Sequence, residues 1–153
     1  GYQVLTGLSS HSFSAMRELF GPPNGVRYAT QHRGETVIAL FDYGNFTALY
    51  EAVIDEVSRF DAGIEVLTQT RHFRMNYDTP YIRNLPTRLE ITTSSDTDTG
   101  TEIIGPIYED PFRIELGAFH DSIVTGAPSR TTLSDSMQDL LLFKQVARHF
   151  RPA

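Results

Sequence analysis

Apolar side chains recur with helical spacing near the start of the chain. Phe13, Met16 and Phe20 occupy positions i, i+3 and i+7, which lie on one face of a helix. We expect one of the two preceding serines, Ser9 or Ser10, to cap this helix, and the Gly-Pro-Pro that follows to end it. The pattern therefore predicts a helix from about Ser10 to Phe20.

After this helix the hydrophobic period changes to two, the period of a β-strand. Three alternating segments follow one another, over 26–30, 37–43 and 46–54. Gly34 and the pair Gly44-Asn45 supply turns between them, which is typical of a meander of hairpins. In the second strand the alternate residues Ile38 and Leu40 are apolar as well, so both faces of the sheet can be covered there.

Three more strands and a polar stretch follow. The strands are predicted over 64–68, 73–77 and 89–93. The stretch from Thr92 to Gly100 is nearly all Ser, Thr and Asp, and we expect a mobile loop or the tip of a long hairpin. No internal repeat and no shift in composition divides the chain, which predicts one domain over residues 1–153.

Two helices are predicted at the end of the chain. Asp110 precedes Pro111, which combines an N-cap with a proline at the first helical position. The apolar stripe of this helix consists of Phe112, Leu116, Phe119 and Ile123. The last helix runs from about Leu133 to Phe150, with a core-facing stripe predicted at Leu133, Met137, Leu140, Leu141 and Ala147.

This order of elements predicts an α+β fold. We expect a largely antiparallel open sheet of about six strands, with the helices packed on one of its faces. The other face would then be available for oligomerisation.

Composition excludes several classes of protein. The chain has 153 residues, 40% hydrophobic and 21% charged, which is ordinary for a globular domain and argues against disorder. A net charge of −6 argues against a nucleic acid as the main partner. No apolar run approaches the roughly 18–20 residues of a membrane span. The absence of Cys excludes disulfides and Cys-ligated zinc.

The chain starts at Gly1 and shows no secretory signal peptide. We expect it to be a piece of a longer, cytoplasmic protein. Lys144 is the one lysine among 13 basic residues, so lysine-dependent chemistry has a single candidate.

The known nucleotide-binding and hydrolase motifs are missing. No two glycines stand in a G-x-G arrangement, so the fingerprint of a dinucleotide site is absent. Gly100 and Gly105 have P-loop spacing, but Pro106 and Ile107 follow where Lys and Ser or Thr are required. The chain also contains no G-x-S-x-G and no H-E-x-x-H.

Among the five histidines, His11 has the most suggestive position. It falls in the first turn of the first predicted helix, where the positive end of the helix dipole disfavours imidazolium and keeps the ring neutral. A neutral imidazole there can accept a proton or bind a substrate hydroxyl. A packing role beside an N-terminal loop is the simpler alternative. We assign structural or solvated roles to the other histidines, His32, His72, His120 and His149.

The remaining charged residues offer weaker candidates for chemistry. The acidic pairs around Glu51 and Asp55 and at Glu109-Asp110 are interpreted as solvated faces and a helix cap. Arg71 and Arg74 could bind an anion, but a solvent-facing or interface position is the simpler interpretation.

Taken together, four segments resemble the C-terminal domain of the Gfo/Idh/MocA oxidoreductase family, which includes glucose–fructose oxidoreductase and inositol dehydrogenase. The segments are GLSSHSF at 7–13, RELFG at 17–21, FDYGNFTA at 41–48 and FRIELGAFHDSI at 112–123. Each segment alone is unspecific; the match lies in their order and spacing over nearly the whole chain.

The resemblance implies that cofactor binding and substrate binding belong to two different domains. In that family an N-terminal Rossmann domain binds NAD or NADP and supplies a lysine, while the C-terminal domain lines the substrate pocket and forms the oligomer interface. This chain is then expected to bind no cofactor itself. Its implied partners are the Rossmann domain, a second copy of the chain and a sugar, cyclitol or similar polyol, with no nucleic acid and no membrane. By itself it is expected to be inactive.

The resemblance also points to site residues. His11 matches the family's proton-relay or substrate-hydroxyl histidine, although Gly7 stands where many members have Asp. Tyr81 and Arg83 are weaker candidates for pocket walls. Two alternatives remain open: a non-catalytic module that dimerises through the same sheet, and a small α+β enzyme or carrier with its own pocket.

Overall fold

The computed structural model describes residues 2–150, which group into two compact units. Unit 1 is the described part of Gly1–Glu56 and Arg130–Ala153, and unit 2 is Val57–Ser129. Each unit contains one antiparallel sheet, which confirms the predicted α+β class with open sheets. The described residues hold seven strands, divided into sheets of three and four, where the pattern predicted about six strands in one.

Unit 1 begins with a helical segment that changes pitch. Helix α1 spans Tyr2–Val4, Leu5–Ser9 form a π-helical turn, and helix α2 spans Ser10–Phe20, the bounds that the apolar spacing predicts. The predicted cap is wrong. Ser9 keeps right-handed helical backbone angles and its side chain accepts no capping hydrogen bond, because the helical segment begins upstream.

The first sheet packs its inner face against α2. Its strands, in spatial order, are β1 (Gly25–His32), β2 (Thr36–Asp42) and β3 (Thr47–Val53). Buried and half-buried residues alternate along β2, where Val37, Ala39 and Phe41 face the core. The ring of Phe13 meets Phe41 and Tyr50 edge to face, with ring centroids 5.0 Å apart in both pairs. These aromatic side chains thus form the centre of the hydrophobic core of unit 1.

Helix α4, Leu133–Ala147, completes unit 1. Its N-cap is Thr132, whose Oγ1 accepts a hydrogen bond from Asp135 N at 3.1 Å. The predicted core-facing stripe is wrong at four of its five positions: Leu133 is 89% exposed, and Met137, Leu140 and Leu141 are about half exposed. Its fifth residue, Ala147, does pack against the core. The residues buried instead are Asp139, Leu142, Phe143 and Val146. Four successive apolar residues at 140–143 cover every side of the helix, so periodicity alone could not select the buried side.

Unit 2 contains the second sheet, a meander of four antiparallel strands. They are β4 (Ala62–Leu67), β5 (Arg71–Tyr77), β6 (Thr87–Ser94) and β7 (Thr99–Ile107). The register places Ile64, Met75 and Leu89 side by side on one face. The opposite face carries Glu65, Arg74 and Glu90 in the adjacent row. One face of this sheet is therefore apolar and the other charged.

Strand β7 was not predicted. The polar stretch 92–100 is the end of β6, a turn and the start of β7, so the expected hairpin tip is confirmed at 95–98. Every residue of β7 is exposed, so buried and exposed positions do not alternate along it, and its sequence TGTEIIGPI does not alternate apolar and polar residues either. Such an edge strand also tolerates Pro106, which has no backbone N–H to donate.

Helix α3, Pro111–Thr125, begins and ends where predicted. Asp110 Oδ1 accepts hydrogen bonds from Phe112 N at 2.9 Å and Arg113 N at 3.3 Å, and Gly126 ends the helix with a φ of 71°. No residue of α3 is buried, so its apolar stripe is exposed. None of the helices in residues 2–150 has the length and apolarity needed to cross a membrane.

Candidate functional site

His11 lies in unit 1, at the second residue of α2, with its side chain exposed. The helical segment starts nine residues earlier, at Tyr2. The prediction that His11 occupies a first helical turn is therefore wrong, and the helix dipole no longer supplies a reason for a neutral ring. His11 closely follows the π-helical turn Leu5–Ser9, which is an unusual local conformation.

The π-helical turn is held by a buried serine. Ser9 is fully buried, and its Oγ donates a hydrogen bond to Val4 O at 3.3 Å. The same Oγ lies 2.6 Å from Tyr50 Oη on β3, and because Ser9 spends its single hydrogen on Val4, Tyr50 is the donor of this second bond. The backbone just before His11 is thereby tied to the sheet.

Arg17 joins α2 to α4 six residues beyond His11. Its Nη1 donates to Asp135 Oδ1 at 2.7 Å, and its Nε donates to Asp139 Oδ1 at 2.9 Å. Only 8% of the Arg17 side chain and 10% of that of Asp139 are exposed. The hydrogen bond from Arg17 holds the pKa of Asp135 below its ordinary value, while the two carboxylates raise the pKa of Arg17. Arg17 is thus committed to structure and is not free to bind an anionic ligand.

Tyr81 and Arg83 meet at the start of α3 in unit 2. The Tyr81 ring lies 5.9 Å from that of Phe112, and Arg83 Nε lies 3.7 Å from Asp110 Oδ2. Both side chains are largely exposed, Tyr81 to 84%. The structure thus brings these two predicted residues to one place, where their free surfaces can meet a ligand. His11 belongs to unit 1, so neither unit by itself holds all three.

The other sequence candidates are engaged or isolated. Arg74 Nε donates to Glu65 Oε1 at 2.8 Å, which lowers the pKa of Glu65. Lys144 lies exposed in the last turn of α4. No group of three or more His, Asp or Glu side chains within residues 2–150 could hold a metal ion.

Two polar contacts of the helical segment that carries His11 join residues far apart in the sequence. Ser9 and Tyr50 are 41 residues apart, and Arg17 and Asp135 are 118 residues apart. No local spacing signals such pairs, because they depend on how α2, β3 and α4 pack.

The sequence by itself matches no protein-family model and no curated protein. Several solved structures are similar in fold, including three oxidoreductases. These three are UDP-N-acetylglucosamine 3-dehydrogenase GnnA from Acidithiobacillus ferrooxidans (17% identity, TM-score 0.77), a variant of the 3-ketoreductase KijD10 from Actinomadura kijaniata (17%, 0.75) and an oxidoreductase from Bacillus cereus (18%, 0.70).

The three matches cover nearly all of this chain but only part of each solved structure. They cover 96%, 96% and 98% of this chain, but only 47%, 47% and 49% of the respective structures. The chain therefore has the fold of about half of each oxidoreductase and spans about half of its length. The expected resemblance to an oxidoreductase domain is confirmed at the level of the fold.

Proposed function

We propose that this chain is the substrate-binding and oligomerisation domain of an NAD(P)-dependent oxidoreductase that acts on a sugar, a cyclitol or a similar polyol. The observation that carries the proposal is the fold shared with about half of each of three oxidoreductases. One of them is a UDP-N-acetylglucosamine dehydrogenase, and another is in complex with TDP-benzene and NADP. The substrate class and the cofactor come from these proteins by analogy of fold.

The described residues, 2–150, lack the features of a Rossmann dinucleotide site. Such a site is built from parallel βαβ units with a glycine-rich turn before a helix, whereas every strand pair within residues 2–150 is antiparallel. We therefore assign NAD or NADP to a separate Rossmann domain of the same protein. Residues 1–153 then act as one substrate domain beside it.

In this proposal His11 manages the proton of the substrate hydroxyl. An exposed imidazole can reach a ligand, and its nitrogen would accept the hydroxyl proton. The hydride from the same carbon would pass to the NAD or NADP assigned to the Rossmann domain, which balances the oxidation of the alcohol. The π-helical turn before His11 supports a functional role, because such turns are rare and often occur at functional sites. Tyr81 and Arg83, both in unit 2, are proposed to contact the substrate through an exposed ring and an exposed guanidinium.

Self-association is proposed through the outer face of the first sheet. The register aligns Tyr28 with Leu40 and Leu40 with Leu49, which gives an apolar row across all three strands. Tyr28 is 51% exposed and Leu49 is 66% exposed. We call these three residues the outer row. A second copy would remove this apolar surface from water.

The test uses the complete protein that contains this chain. We expect it to bind NAD or NADP and to change nicotinamide absorbance with a panel of sugars and cyclitols, while the 153-residue chain alone is inactive. His11→Asn should lower kcat by about 10²–10⁴. His149→Asn, at another exposed histidine of unit 1, is the matched control and should retain activity. A complete protein without nicotinamide binding would overturn the proposal, and a fully active His11→Asn would overturn the role of His11.

A non-catalytic dimerising module is the second candidate. The outer row favours it as much as it favours an oligomeric enzyme, because self-association needs no reaction centre. A complete protein that dimerises, binds no nicotinamide and turns over no polyol would select this candidate.

A further inference from the structure

A groove of about 400 Å³ lies on the charged face of the second sheet. Its volume is within the range of small-molecule sites, which is roughly 300–1,000 Å³. All of its lining residues belong to unit 2, and most come from β5, β6 and the approach to β4. The side chains that matter here are Phe60, Asp61, Asn76, Tyr77, Arg88 and Glu90.

Several polar side chains in this groove have no partner in the part of the chain that the structure describes. Arg74 is aligned with Glu65 on one side and with Glu90 on the other, but it forms its ion pair with Glu65 alone. Within residues 2–150, the Glu90 carboxylate makes no hydrogen bond or ion pair, and neither does the side chain of Arg88 or Asn76. Opposite charges directly across two strands stabilise a sheet when they pair, and the exposed Glu90 carboxylate forgoes that pair. Here their donors and acceptors remain available to a ligand.

A glycine shapes one edge of the groove. A Cβ at Gly63 would lie 2.8 Å from Asn76 Oδ1 and 2.8 Å from Met75 O, closer than atoms can approach. The missing side chain therefore lets the Asn76 amide lie across β4. Any larger residue at position 63 would displace the amide from this position.

The chemistry of the lining selects a class of ligand. Carboxylates accept, guanidinium groups donate and the amide does both, which matches hydroxyl groups that donate and accept at once. The rings of Phe60 and Tyr77 add apolar surface beside these polar groups. Three carboxylates and two guanidinium groups line the groove, so its formal charge is negative and disfavours a phosphate.

We propose that this groove is a binding site for a neutral saccharide. A sugar ring presents several uncharged hydroxyls and an apolar face, which correspond to the two kinds of lining. The proposal uses none of the residues assigned to the oxidoreductase reaction. It stands whether or not the complete protein binds a nicotinamide.

The test is a titration of the chain followed by amide NMR. The probes are glucose and myo-inositol, with inorganic phosphate as the anionic comparison. We expect glucose or inositol to shift the amide signals of Asn76, Arg88 and Glu90, with a Kd of about 1 mM, or −4 kcal/mol. Phosphate should leave these signals unchanged.

Variants separate specific binding from general effects. Arg88→Leu and the isosteric Glu90→Gln should each weaken sugar binding about tenfold, since each removes hydrogen bonds from a charged group. Arg71→Leu, at an exposed arginine of the same sheet outside the groove, is the matched control and should bind normally. Absence of shifts with both sugars, binding of phosphate in their place, or unchanged binding by both groove variants would overturn the proposal.

Discussion

Arg17 donates from Nε to Asp139 Oδ1 at 2.9 Å, although the two residues are 122 positions apart in the sequence. Because both side chains are nearly buried, solvent cannot replace the hydrogen bond, and each charge is compensated only by the other side chain and its neighbours. This contact, with the second one to Asp135, joins the helix that carries His11 to the last helix of the chain.

Asp139→Ala should destabilise the chain by about 3 kcal/mol, because it leaves part of a buried guanidinium without its counter-charge. The measurement is urea unfolding followed by circular dichroism. The control is Glu18→Gln, which removes the exposed pair between Glu18 and Arg130, 3.4 Å apart and 71% and 87% exposed. That change should cost no more than about 1 kcal/mol. Equal losses in both variants would contradict the importance of the buried pair.

Stability should fall at acid pH partly through Asp135. Arg17 lowers the pKa of this carboxyl in the folded state, so its contribution is fully present above the unfolded pKa, which is about 4. The contribution is lost as the pH falls through the lower, folded-state pKa. We expect the free energy of unfolding to decrease below about pH 4–5 and to decrease less steeply in Asp135→Asn. Identical pH profiles for both proteins would argue against this linkage.

Phe13→Ala should cost about 3–5 kcal/mol of unfolding free energy, because it opens a cavity among the rings of Phe41, Tyr50 and Phe143. Phe119→Ala makes the same chemical change on α3, where the side chain is 61% exposed. This control should change stability by no more than about 0.5 kcal/mol. Urea unfolding of the two variants measures both changes in the free energy of unfolding. A large decrease for Phe119→Ala would contradict the exposed position of this side chain.

Leu49→Glu should dissociate the proposed oligomer, because it places a charge in the outer row where a second copy would exclude water. Leu67→Glu is the matched control at a leucine of the second sheet that is 75% exposed. Sedimentation equilibrium gives the mass of each protein. A wild-type chain that is monomeric at all concentrations, or a Leu49→Glu variant that keeps the wild-type mass, would contradict the proposed interface.

Local patterns predicted most of the elements correctly. The helix from Ser10 to Phe20 follows from three apolar residues at helical spacing, and α3 follows from its Asp-Pro start and its glycine end. These signals concern a few neighbouring residues, whose backbone conformations and caps are decided locally. The strands with alternating burial were found for the same reason, whereas β7, exposed along its whole length, was missed.

The candidate site was less accessible to such patterns. His11 was selected for a helix start that the structure places at Tyr2, because the π-helical turn before it has no marker in the local spacing. Tyr81 and Arg83 were chosen from one loop, and they do meet at the start of α3. The roles of all three residues in a reaction stay predictions.

Helix α2, the strands with alternating burial, the α+β class and the start of α3 were thus decided by short-range chemistry along the chain. The division into two sheets, the buried side of α4 and the pairing of Arg17 with Asp139 were decided only by tertiary packing. The physical reason is that burial and charge pairing are properties of segments brought together across more than a hundred residues. When a helix such as α4 has apolar residues on several sides, the elements packed against it decide which of those residues are buried.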